Sequence, residues 1–247
     1  MSPKRYGIIS DLHSNVEGLR SCLAALDEEG VDEVLCLGDI VGYNAKPAEC
    51  LDLAVERCSH IIQGNHDRYL LGEIPERLKE SIVHVAKWGG EQLSDEQRRK
   101  LKDLPETKVV DDRVLMVHGS PRNRDEYLLT HDAIEGGLKA MKGKYMGLYV
   151  CFFGHTHLPF LICDEEVRAD FKEKTTIKLE KGTPYLLNAG STGQPRDGFP
   201  LAGCGVFDTG EYTMTWLRVE YDIAKTQGEV MAAGLDDWFA YRLEAGK

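Results

Sequence analysis

Within its first 65 residues the chain alternates strand and helix at a spacing that leaves little topological choice. Residues 6–10 (YGIIS) are a short apolar run of strand character. Residues 15–29 carry apolar side chains at Val16, Leu19, Leu23 and Leu26, the stripe of an amphipathic helix that Gly30 ends. A second strand (33–37), a second helix (47–58) with Pro47 in its first turn, and a third strand (59–63) follow. This succession predicts a parallel sheet covered by helices.

Residues 76–104 read as polar helix interrupted near Gly89-Gly90, and Ser94 with Gln97 is a capping box for the second piece. The pattern then changes. Strand-like runs occur at 107–111, 114–117, 147–153, 160–163, 185–188, 205–207 and 212–221, with a helix at 130–142. The charged, β-branched stretch 164–181 predicts an edge hairpin, and 222–247 a helical tail broken at Gly234. No low-complexity linker divides the chain. The expectation is one α/β domain over residues 1–247, a four-layer αββα sandwich of two mixed sheets flanked by helices. Its first sheet begins with parallel units and its second is largely antiparallel.

Composition narrows the function. With 247 residues the chain can bury a large core without disulfides. Its seven cysteines are odd in number and form no Cys-x-x-Cys pair, which predicts buried free thiols in a reducing compartment. No run of 18 apolar residues and no signal-peptide pattern is present, so a cytoplasmic protein without a membrane span is expected. Acidic residues outnumber basic ones by 41 to 30, a net charge of −11 that excludes a generally basic surface for duplex nucleic acid or an anionic membrane. An anionic substrate stays open, because bound cations reverse the local field.

Five of the eight histidines fall in short segments at predicted strand ends. The segments are Asp11-Leu12-His13, Gly38-Asp39, Gly64-Asn65-His66-Asp67, His118-Gly119 and Gly154-His155-Thr156-His157. Side chains two apart on an extended chain face the same way, so Asp11 with His13, and His155 with His157, can each reach one metal region. Strand ends are where open α/β sheets place ligands. Singly, each segment has an ordinary reading as a turn or a cap; together they have none. His60, His84 and His131 lie outside them and read as surface or packing residues.

This series resembles the motif set of the calcineurin-like metallophosphoesterases over nearly the whole chain. The segments 38–43 (GDIVGY) and 190–198 (GSTGQPRDG) and the tail around Gly234 resemble a small prokaryotic phosphodiesterase branch. The resemblance implies the four-layer sandwich and a binuclear site. Asp11, His13 and His157 would hold one ion and Asn65, His118 and His155 the other, with Asp39 bridging. His66 would stay off the metals and protonate the leaving group, with Asp67 either orienting it or capping the following helix. Tyr43, Asn44, Arg68 and Arg196 are candidate substrate contacts, each with a plain loop, turn or surface reading beside it. The chain departs from the branch at Asn44-Ala45-Lys46-Pro47 and has Ala189 where the family often has proline.

The residue types suit the chemistry. Mixed nitrogen and oxygen ligands favour Mn, Fe, Co, Ni or Zn over Mg or Ca. Two divalent ions, two aspartates and a shared hydroxide leave about +1 on the site, enough to draw in a phosphate. In-line attack by such a hydroxide, with His66 as general acid, would cleave phosphate esters, and phosphodiesters best, since the motif loops offer few arginines for a dianion. Small phosphate esters, nucleotides among them, are the expected partners. A monoesterase, a dinucleoside polyphosphate hydrolase and a non-catalytic metal-binding scaffold are the alternatives.

Overall fold

Strand residues alternate between two apolar surroundings, and that alternation builds the layers. The computed structural model describes residues 2–247. In chain order the elements are β1 (Arg5–Ile9), α1 (Val16–Glu28), β2 (Glu33–Cys36), α2 (Pro47–Arg57), β3 (His60–Ile61), α3 (Asn65–Leu70), α4 (Glu80–Gln92) and α5 (Asp95–Lys102). There follow β4 (Thr107–Val110), β5 (Val114–Val117), α6 (His131–Lys142), β6 (Val150–Phe152), β7 (Pro159–Ile162), β8 (Val167–Arg168) and β9 (Thr175–Lys178). The chain closes with β10 (Tyr185–Ala189), β11 (Ala202–Asp208), β12 (Thr213–Val219), α7 (Ile223–Ala232) and α8 (Asp237–Ala245).

The strands form two six-stranded sheets, ordered β3-β2-β1-β11-β12-β9 and β4-β5-β6-β10-β7-β8. Ile8, Leu35 and Leu37 of the first sheet meet Met116, Phe152 and Leu187 of the second between the sheets. The next residues along, Ile9 and Cys36, turn outward against Leu19, Leu23 and Leu51 of α1 and α2. On the far side Leu115, Val117 and Cys151 pack against Leu138 and Met141 of α6. Strands buried on both faces have no polar alternation, which is why they read as continuous apolar runs. The result is the expected four-layer sandwich. Among the described residues no helix is long and apolar enough to cross a membrane.

Local signals hold where they are local. Asn15 accepts from the Gly18 amide and caps α1; Ser94 and Gln97 form the capping box of α5; Thr130 caps α6. As expected, the first sheet begins with parallel pairings and the second is antiparallel in three of its five; within it β6 lies parallel to both β5 and β10, as β2 does to β1 and β3. Two expectations need correction. The Gly89-Gly90 pair does not interrupt a helix but lies inside α4. A Cβ on Gly89 would stand 3.0 Å from Leu70 Cδ2 and one on Gly90 2.9 Å from the Leu70 carbonyl, so the glycines let α3 lie close against α4. Residues 164–181 make no hairpin. β8 pairs with β7 at the edge of the second sheet, whereas β9 pairs with β12 at the edge of the first.

Phe171 holds this crossing between the sheets. It is fully buried and stacks on Trp216 of β12 with ring centroids 4.0 Å apart. Phe171→Ala is expected to cost about 3–5 kcal/mol in urea unfolding, the toll of a large buried aromatic. A loss below about 1 kcal/mol would show that the crossing segment is not part of the core.

Candidate metal centre

The five motif segments converge at one end of the sandwich, on loops leaving β1, β2, β3, β5 and β6. The first two loops are joined backbone to backbone, Asp11 N to Gly38 O at 3.0 Å and His13 N to Asp39 O at 2.9 Å. Left-handed backbone concentrates here: Asp11, His13, Ser14, Asp39, Tyr43, His155 and His157 all have φ between 46° and 65°. Non-glycine residues adopt that region at a cost, and it persists where surrounding contacts over-determine it. Gly64 lets two of the loops approach closely, since a Cβ there would lie 2.2 Å from Asp39 Oδ1.

Two ligand clusters result. Asp11, His13, Asp39 and His157 form one and Asp39, His118 and His155 the other, so the Asp39 carboxylate is common to both. Asp39 Oδ2 lies 3.5 Å from His13 Nε2 and 3.3 Å from His118 Nε2. Asp11 Oδ1 lies 3.6 Å from His157 Nε2 and accepts from the His155 amide. Asn65 Oδ1 adds an oxygen 3.0 Å from His118 Nε2. None of these seven residues is more than 4% exposed.

The donor set suits a divalent cation. His13 Nδ1 donates to Val41 O, His118 Nδ1 to Leu37 O and His157 Nδ1 to Gln194 O. A carbonyl only accepts, so these contacts place the proton on Nδ1 and aim Nε2 inward. His13 Nε2 and His157 Nε2 then face each other 3.0 Å apart. Burial holds both imidazoles well below their usual pKa, so both are neutral and two lone pairs oppose. That contact is repulsive until a cation lies between them. At metal–nitrogen bonds of about 2.0–2.1 Å, such a separation fits two ligands of one ion. Buried His155 Nε2 and Asp11 Oδ2 likewise have no protein partner. The two clusters form a binuclear site for divalent metal.

His118 behaves differently. Burial alone would lower its pKa, but the Asp39 carboxylate raises it to about 9. Burial works against ionisation of Asp39 too, yet the charge of His118, which also hydrogen-bonds it, holds it well below the usual carboxylate range.

The other expected site residues divide. His66 is buried, its ring centroid 4.8 Å from that of His13, with Nδ1 unpartnered. Of the two roles open to Asp67 the helix cap holds: its carboxylate accepts from the amide of Gly64, the N-cap of α3, and makes no hydrogen bond to the His66 ring. It also accepts from the amides of Asp39, Ile40 and Val41, at 2.9–3.2 Å, and so ties the β2 and β3 loops together. Asn44 is buried and donates to the His13 carbonyl, a brace for the ligand loop. Arg68 is corrected. Its guanidinium is buried and engaged with Asp125 and the Gly64 carbonyl. Tyr43 does reach the centre, but its ring is boxed between His13, His66 and Phe239 and is 5% exposed, so no face is open for stacking. Arg196 donates to the Tyr43 hydroxyl and to Gln194 Oε1.

Two neighbours carry no sequence signal. Tyr127, from the loop after β5, stacks on His155 with centroids 3.8 Å apart and stays 45% exposed. Arg242, from α8, lies 5.6 Å from the Tyr43 ring centroid. The remaining histidines lie elsewhere: His84 and His131 are exposed on helices, and His60 sits beside Glu33. A cavity of about 430 Å³ opens at the opposite end of the strands, near Tyr149, Lys181 and Tyr212, away from both ligand clusters.

The raised pKa of His118 has a measurable sign. At pH 7.5 the metal-free imidazole holds its second proton, and metal binding at Nε2 must displace it. Calorimetric metal titrations in buffers of different ionisation enthalpy are expected to show roughly one proton released per chain at that pH. Proton-neutral binding would contradict the His118–Asp39 pair.

The chain matches the model of the calcineurin-like phosphoesterase superfamily domain over residues 5–211. It is 33% identical to an uncharacterized protein of Methanocaldococcus jannaschii over 252 residues, which cover 97% of both chains. The crystal structure of a metallophosphoesterase from Sphaerobacter thermophilus superposes with a TM-score of 0.87 at 32% identity, covering 100% of each chain. A hypothetical protein from Pyrococcus horikoshii shares the fold, with a TM-score of 0.79 at 19% identity and 98% of each chain covered. The motif loops, the doubled ligand cluster and these likenesses agree, and the chain belongs to the calcineurin-like phosphoesterase superfamily.

Proposed function

We propose that this protein, acting as a single domain, hydrolyses phosphodiesters at its binuclear centre, with nucleotide-like esters as the fitting substrates. One observation carries the reading: a single buried carboxylate, Asp39, serves two ligand clusters, and the His66 ring lies against them. Asp11, His13 and His157 would hold one ion and Asn65, His118 and His155 the other, with Asp39 between. When bound, the ions supply Lewis acidity toward phosphoryl oxygens and a water activated near neutral pH.

The chain's own groups supply the rest. The His66 imidazole, buried beside the clusters and hydrogen-bonded through neither ring nitrogen to another side chain, is the group assigned to protonate a leaving oxygen. Burial, joined by the charges of Arg196 and Arg242, lowers its pKa to about 4 although Asp39 pulls the other way. The acid form therefore depends on the ester: an incoming anion offsets those positive charges and favours the imidazolium. Asp67 and Asn44 act at one remove, keeping the Asp39 and His13 loops in place.

Two features support diesters of nucleotide type. Arg68, whose charge would favour a dianionic monoester, is neutralised by Asp125, whereas Arg196 has no carboxylate partner among the described residues. Tyr127, rather than the enclosed Tyr43, offers exposed aromatic surface beside His155 for a base.

With reconstituted metal, kcat/KM for bis(p-nitrophenyl) phosphate is expected to exceed that for p-nitrophenyl phosphate at the same pH. A preference for the monoester would overturn the diester reading and leave the metal centre intact. His66→Ala is expected to keep both metals while losing about 10²–10⁴-fold in kcat on a dinucleotide, whose alkoxide leaves poorly. The loss should be much smaller on a nitrophenyl ester. Equal losses on both substrates would remove the general-acid role.

A further inference from the structure

Arg196 and Arg242 come from different parts of the chain and meet at one ring. Their guanidinium carbons lie 5.7 and 5.6 Å from the Tyr43 ring centroid, and that ring packs 4.5 Å from the ring of His13. Neither arginine has a side-chain carboxylate within ion-pair distance among the described residues. The acid nearest in sequence, Asp197, pairs with Arg218 instead. Arg196 donates to neutral oxygens of Tyr43 and Gln194, and its buried Nε has no partner. Arg242 donates from Nε to a main-chain oxygen of Lys247, the last residue of the sequence. Both side chains are half-buried, in a chain with eleven more acidic than basic residues. Burial and the charge of Arg196 hold the Arg242 guanidinium down at about 10, so the pair is mutually repulsive as it stands. Stacking on Tyr43 offsets part of that cost, and an anion between them would remove it.

We propose that Arg196 and Arg242, gathered around Tyr43, form a second anion subsite beside the metal centre, selecting esters that carry a further phosphate group. This rests on the hydrolytic reading above and names its substrate class. The Arg196 amide donates to the His157 carbonyl, and its guanidinium reaches the Tyr43 ring that packs on His13, so the pair borders the metal centre. A phosphate carried by the same ester beyond the scissile one is the anion such a pair would hold. A merely structural cation–π brace would hold Tyr43 in place but would not discriminate between substrates.

The test compares two diesters with the same leaving group: thymidine 5′-(p-nitrophenyl phosphate) and its 3′-phosphorylated form. The metal-loaded wild type is expected to favour the 3′-phosphorylated ester at least tenfold in kcat/KM. Arg242→Gln and Arg196→Gln should bring that ratio towards one, and Arg242→Lys should restore part of it. Calorimetry on the same proteins with thymidine 3′,5′-bisphosphate and thymidine 5′-monophosphate provides a readout without turnover. The bisphosphate should bind at least tenfold more tightly to wild type, and the advantage should vanish in the glutamine variants. Bisphosphate preference without turnover of either ester would sink the hydrolytic reading and keep the subsite. Turnover of both esters with no wild-type preference in rate or binding would overturn the subsite and keep the hydrolysis. A preference untouched by Arg242→Gln would equally overturn it.

Discussion

The Asp67 carboxylate, buried and accepting from four backbone amides, is the contact on which the centre depends. Three of those amides belong to Asp39, Ile40 and Val41 and the fourth to Gly64. It fixes the loop after β2 against the loop after β3, and so sets the position of Asp39 relative to Asn65 and His66. Several charge-assisted bonds converging on one carboxylate are both strong and directional. The His66 amide closes the arrangement from the other side by donating to Asp39 Oδ1.

From that anchor the strain elsewhere becomes intelligible. Five of the seven residues gathered at the clusters, with Ser14 and Tyr43 in the same loops, sit in left-handed backbone, which a chain free to relax would leave. Amide bonds between the β1 and β2 loops, and from Thr192 and Gly193 back to Ser10 and Asp11, keep them there. Asn188 plays the same part for the His155–His157 turn, donating to the Gly154 carbonyl and to Thr156 Oγ1. The electrostatics follow the same pattern. Burial keeps the His13 and His157 imidazoles neutral, Nδ1 bonds to carbonyls orient them, and their opposed Nε2 atoms leave a place that a cation fills.

Much of this was legible before folding because its causes are short-range. The caps of α1, α5 and α6 depend on residues three apart, and the ligand segments need particular residue types at strand ends. The errors share a different cause. Whether residues 164–181 pair with themselves or split between two sheets is decided by β7 and β12, remote in sequence. Gly89-Gly90 looks like a break until Leu70 is known to occupy the space it provides. Arg68 and Asp67 follow a ligand motif and invite functional roles, yet Asp125 and the loop amides claim them. Tyr127 and Arg242 belong to no motif, and proximity to His155 and Tyr43 is their sole signal.

The sequence by itself determined the layered α/β architecture, through apolar periodicity, and which residues are available for the two ligand clusters, because coordination chemistry restricts residue type at each strand end. The tertiary structure alone decided which polar groups remain available. Asp67, Arg68 and Asn44 are satisfied internally, whereas Arg196, Arg242 and Tyr127 are gathered around the centre from loops and a helix far apart in the chain. The physical reason is that a ligand's type is a local chemical requirement, while the freedom of a charge depends on every neighbour that folding brings to it.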